Sequence, residues 1–147
     1  MDSSFKTKPG KRPSEPPGRR YFTVEEANRA LPLVRRIVSD ITAQFRTFAE
    51  LQSRTSDLAE QGQNERTAAL KQQSAAVTDK LQEYAHELVE LGIELKDGQR
   101  GLVDFPCRLG DREVYLCWKL GEERVDFWHE VDAGFAGRQP VDEQFGS

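Results

Sequence analysis

Cysteine is scarce in this chain, and so is any long apolar run. Two cysteines, Cys107 and Cys117, occur in 147 residues. They lack the spacing of a disulfide framework or a paired-cysteine motif, and they suit a reducing compartment. No apolar stretch approaches the ~20 residues that a membrane span needs. The first residues lack the apolar core of an export signal, so the expected setting is the cytoplasm. A phosphate-cradling glycine loop, a serine-centred elbow and an internal repeat are also missing. Histidine is limited to His86 and His129.

Charge is present in quantity but unevenly placed. The net charge is −4, yet residues 1–20 carry Lys6, Lys8, Lys11, Arg12, Arg19 and Arg20 against Asp2 and Glu15, leaving the remainder at −8. An acidic body argues against a nucleic-acid-binding fold, because phosphate contacts need a basic face. The basic tail leaves at most a weak contact with nucleic acid or a membrane surface. It also holds Pro9, Pro13, Pro16 and Pro17 and few apolar side chains, a composition that cannot offset ordering entropy. Residues 1–20 are therefore expected to be a disordered, proline-rich tail, and residues 21–147 a single domain.

Within that domain, 21–92 reads as a helical hairpin. Thr23 and Glu26 have the spacing of a capping box, with Phe22 placed to staple the helix start. Pro32 predicts a short first helix ending near Leu31, or a kink in a continuous one. Val34, Val38, Ile41, Phe45 and Phe48 then recur at spacings of three and four, weakening to Gln52, Thr55 and Ala59. After a polar turn at 61–64 the seam resumes as Leu70, Ser74, Val77, Leu81, Tyr84 and Leu88. Two such segments joined by a short turn make an antiparallel coiled-coil-like hairpin, firm at its base and looser at its tip. Gly92 is a natural stop.

Residues 93–141 read as a β-meander and a C-terminal loop. Ile93–Lys96 alternates apolar and charged residues and is a candidate edge strand. Leu102–Arg108, Glu113–Leu120 and Val125–Glu130 follow as strands, separated by Gly110-Asp111 and Gly121-Glu122. Two-residue turns place Phe105 opposite Leu116 and Leu116 opposite Phe127. In that register His129 shares an apolar face with Phe105 and Leu116, while Asp104, Cys117, Trp128 and Glu130 share the other. The expected fold is α+β: a long helical hairpin packed at its base on a three- to four-stranded antiparallel meander.

GLVDFP at Gly101–Pro106, YLCWKLGE at Tyr115–Glu122 and FWHEVDAGFAGRQP at Phe127–Pro140, with FTVEEANRALPLV at Phe22–Val34, resemble a family of small prokaryotic proteins, domain of unknown function 2203. The resemblance covers roughly residues 21–141. It implies no activity, substrate or catalytic residue.

Three constellations bear on chemistry. His129, Glu130 and Asp132, with Asp104 or Cys117 added, have the side chains of a divalent-metal site. The expected register separates His129 from Asp104 and Cys117, which leaves His129 with Asp132 as the metal candidates. The same separation works against Cys117 as a nucleophile activated by His129. Asp104, Cys117, Trp128 and Glu130, with Arg138 folding back, form a candidate ligand site. The bland alternative is an Asp104–Arg138 or Asp104–Arg108 ion pair, since a buried carboxylate needs a partner. The leading functional reading is a non-enzymatic interaction or self-association module built on the hairpin, its partner a second copy or another protein. The alternative is a metal- or small-ligand-binding head, catalytic or not, that uses the Trp-His-Glu loop.

Overall fold

The computed structural model describes residues 19–145; the expected disordered tail, residues 1–20, lies outside the described part up to residue 18, whereas Arg19 and Arg20 at its end are engaged, Arg19 bonding Glu94 and Glu113 and Arg20 lying 4.2 Å from the ring centre of Phe22. Two helices and a five-stranded antiparallel sheet make an α+β fold. Helix α1 spans Val24–Glu60 and starts at the capping box, with Thr23 Oγ1 accepting from the Glu26 amide and Glu26 Oε1 from the Thr23 amide, each at 3.0 Å. It runs through Pro32 without ending. Leu31 and Val34, on either side of the proline, are buried against the sheet, and that packing outweighs the one backbone bond the proline removes. Helix α2, Asn64–Leu91, stops at Gly92, whose left-handed conformation (φ 84°) bonds its N–H back to the Leu88 and Val89 carbonyls.

At 1.5 Å per residue the helices are about 55 and 42 Å long. Their seam near the tip differs by one position from the expected one: Leu51 and Leu58 face inward, not Gln52 and Ala59. Leu51, Thr67 and Leu70 are buried there, so the tip is better sealed than the polar residues at Gln52 and Ser74 imply.

The strands are β1 Glu94–Asp97, β2 Leu102–Leu109, β3 Arg112–Lys119, β4 Phe127–Glu130 and β5 Gln139–Pro140, neighbours in that order. The edge strand at residue 94 is present, and the C-terminal segment adds a fifth strand. Phe105 pairs with Leu116 as expected. The next pairing does not follow. Leu116 faces Trp128, not Phe127, and Tyr115 faces His129. The connection from β3 to β4 is not a two-residue turn: Val125 leaves the ladder, bonding through its N–H and C=O to the side chain of Asn28 on α1, at 2.7 and 3.1 Å. A one-residue shift turns every β4 side chain to the other face.

One face, bearing Val103, Phe105, Val114, Leu116, Trp118 and Trp128, forms the core with Val34, Val38 and Ile41 of α1. Phe22 meets Phe105 edge-on, ring centroids 5.2 Å apart. The base of the arm is locked to the head by Phe45, whose ring lies over Gly98 so closely that a β-carbon there would stand 2.1 Å from Cε2.

Candidate functional site

The opposite face of the sheet carries the polar cluster. Asp104 on β2 pairs with Cys117 on the central strand β3, and Tyr115 on β3 pairs with His129 on β4. Directly opposed residues point to one side of a sheet, so Asp104, Tyr115, Cys117 and His129 share this face. All four are buried. His129 Nε2 reaches across β3 to both oxygens of Asp104, at 3.1 and 3.0 Å, and His129 Nδ1 lies 2.7 Å from the Glu130 carbonyl oxygen.

These contacts determine the protons. A carbonyl only accepts, so Nδ1 carries a hydrogen. Nε2 thereby faces the Asp104 carboxylate, a contact that a proton shared between the two completes. Burial pushes the Asp104 carboxyl above its usual range, against the pull of His129 and Lys96. Burial, and next the charge of Asp104, push the Cys117 thiol up to about 12, although Arg138 favours the thiolate. That burial disfavours the thiolate, the form in which a cysteine acts as a nucleophile. Both His129 nitrogens are engaged within the protein, so neither offers a substrate a base.

A cationic layer lies over the cluster. Arg138 donates to Cys117 Sγ at 3.9 Å and to Glu122 Oε1 at 3.1 Å, with a second, shorter bond from Nη2 to Glu122 Oε2. Its guanidinium sits 4.1 and 4.3 Å from the ring centres of Phe127 and Phe135. On the other side Glu94 accepts from Tyr115, Lys96 and Arg19, and Arg19 also reaches Glu113. Burial raises the Glu94 carboxyl but its donors outweigh that and hold it below the usual range.

The sequence-predicted residues divide. Asp104 and Cys117 come together as expected, with Arg138 beside them. His129, expected on the other face, joins them. Trp128 and Glu130 do not: they project to the core side, where Trp128 packs against Phe145 and Glu130 pairs with Arg112 at 2.9 Å. Asp132 is exposed in the turn after β4 and is outside the group whose ligand atoms converge. Asp104 pairs with His129, and Arg138 pairs with Glu122 in place of Asp104. His86 is exposed and lies 3.4 Å from Glu90.

A family model described as an uncharacterised conserved protein, DUF2203, matches residues 20–141. The chain belongs to the DUF2203 family. No curated protein and no solved structure matches it. In this DUF2203 protein the polar face also recruits Tyr115, expected on that face, and Arg19, Glu94 and Glu122, which sequence reasoning passed over. Glu94 alternates with Leu95 on a candidate strand, which placed it on one face of the sheet. Nothing local marked Arg19, which acts 75 and 94 positions away.

No helix among the described residues is long and apolar enough to cross a membrane.

Proposed function

We propose that this DUF2203 protein is a non-enzymatic association module, with the hairpin as its working part and a second copy of the chain as its partner. The observation that carries this reading is the state of the arm's seam. Beyond the part covered by the sheet, Phe48, Leu58 and Val77 face the opposing helix but remain only half-buried, because two helices alone cannot close a heptad seam on all sides. A second hairpin laid against it would complete a four-helix bundle. Charge permits this: residues 43–88 hold five Lys or Arg and seven Asp or Glu, intermixed along both helices, so like arms do not strongly repel. The head supports a non-enzymatic role, since its one buried histidine has both nitrogens occupied and burial disfavours the thiolate of its polar-face cysteine. Two free, buried cysteines fit a cytoplasmic setting.

The test is sedimentation equilibrium of the full chain over a wide concentration range. A dimer is expected, lost in Phe48→Asp and Val77→Asp while circular dichroism stays helical. A wild-type monomer at every concentration would sink the proposal. The alternative, a ligand- or metal-binding head, concerns other residues and does not compete with the arm.

A further inference from the structure

We infer that Asp104, Cys117 and His129 form a binding site for one divalent metal ion of the zinc class. This goes beyond the association role and does not depend on it. The carboxylate, thiol and imidazole ligand atoms all lie within 4.8 Å of one another, and all three residues are buried. A tetrahedral zinc with bonds of about 2.0–2.3 Å holds its donor atoms about 3.3–3.8 Å apart, so the widest gap must close by about 1 Å.

Three features of the surroundings favour a metal here. His129 is already oriented as a metal ligand: Nδ1–H is held by the Glu130 carbonyl 2.7 Å away, which leaves Nε2 as the coordinating atom once its shared proton departs. The charge also closes: one carboxylate and one thiolate, its proton released on binding, neutralise a dication, and neutral imidazole completes the set, so the buried site carries no uncompensated ion. Finally, Arg138 stands 3.9 Å from Cys117 Sγ with its own charge matched by Glu122, so it can donate to the thiolate without adding net charge.

The donor set selects the ion. Imidazole and thiolate suit zinc or cobalt, whereas magnesium and calcium require oxygen ligands that a single carboxylate does not supply. Three protein donors leave the fourth position to water.

The experiment is titration of the full chain, purified without affinity metal, with Co2+ and then Zn2+. One Co2+ per chain is expected, with a sulfur-to-cobalt charge-transfer absorption that Zn2+ abolishes and about a hundredfold excess of Mg2+ does not. Cys117→Ala should remove that absorption, and Cys107→Ala, altered on the opposite face, should keep it. Cys117→Ser replaces the alanine variant if circular dichroism shows the latter unfolded. Calorimetric Zn2+ titration in two buffers of different ionisation enthalpy should report proton release on binding, since the Cys117 thiol must give up its proton to coordinate. Absence of the cobalt spectrum in the wild type, its survival in Cys117→Ala, or equal competition by Mg2+ would overturn the assignment.

Discussion

His129 Nε2 on β4 lies 3.0 and 3.1 Å from the two carboxylate oxygens of Asp104 on β2, with the central strand β3 passing beneath them. Both side chains are 3% exposed. The pair staples the two outer neighbours of β3 to each other, so its removal is felt by three strands. His129→Ala leaves the buried Asp104 carboxyl with only the Cys117 thiol as a hydrogen-bond partner and should cost about 3–5 kcal/mol. Asp104→Asn keeps a group able to donate to Nε2 and should cost about 1–2 kcal/mol. Urea denaturation of both variants and of the double variant checks this. The double variant should lose less than the sum of the two single losses, because the residues are in direct contact. Strictly additive losses would show that the pair is not an energetic unit.

The junction of arm and head rests on Phe45 and Gly98. A β-carbon at residue 98 would meet Cε2, Cδ2 and Cζ of Phe45 at 2.1, 2.8 and 2.9 Å, a clash that only displacement of the ring relieves. Gly98→Ala should therefore destabilise by about 1–3 kcal/mol through overpacking. Phe45→Ala should destabilise on its own by removing the contact. Adding Gly98→Ala to the Phe45→Ala background should then cost little, since the ring is gone. Thermal melts of the four proteins give the comparison, and an undiminished cost in that background would refute the steric account.

Acid should loosen the C-terminal segment. Burial raises the Glu122 carboxyl, but the hydrogen bonds from Arg138 outweigh that and hold it below the usual 4.5. A carboxyl that is more acidic in the folded state than in the unfolded one adds stability above its unfolded value. That contribution is lost as pH falls through the folded value. Arg138 keeps its charge throughout. Glu122→Gln should thus melt below the wild type at pH 7, with the difference shrinking once pH falls below about 4. A difference that persists unchanged at pH 3 would assign the effect to packing and not to the ion pair.

Much of this molecule was legible from residue order. Thr23 and Glu26, the three-and-four spacing of Val34, Val38 and Ile41, Gly92, and the alternation across 102–119 are local signals, and each produced the element it implies. Pro32 left a break and a kinked continuous helix both open, because its penalty is local whereas the burial of Leu31 and Val34 that keeps the helix continuous is tertiary. The register of β4 misled for a similar reason. Gly121-Glu122 has the residues of a tight turn, but the loop is widened by a side chain 97 positions away. That single offset moved His129 from the core face to the polar face, and with it the whole reading of the cluster. A period of two makes a sheet's faces easy to list and equally easy to exchange.

Asn28 is therefore the residue on which the placement of His129 turns. Its Oδ1 accepts from the Val125 N–H at 2.7 Å, and its Nδ2 donates to the Val125 carbonyl at 3.1 Å and to the Val24 carbonyl at 3.1 Å. Val125 itself is fully buried, so without Asn28 its backbone donor and acceptor lose their partner inside the protein. Asn28→Ala should cost about 1–3 kcal/mol for those unsatisfied groups. Asn28→Asp should be milder at the donor and unfavourable at the carbonyl, because a carboxylate cannot donate. Hydrogen exchange gives the sharper readout. The Val125 amide should exchange much faster in Asn28→Ala, and protection along β4 should fall with it, while α2 and the β2–β3 pair keep theirs. Uniform loss of protection across the sheet would mean that Asn28 supports global stability only, and that the register of His129 is held by the strands themselves.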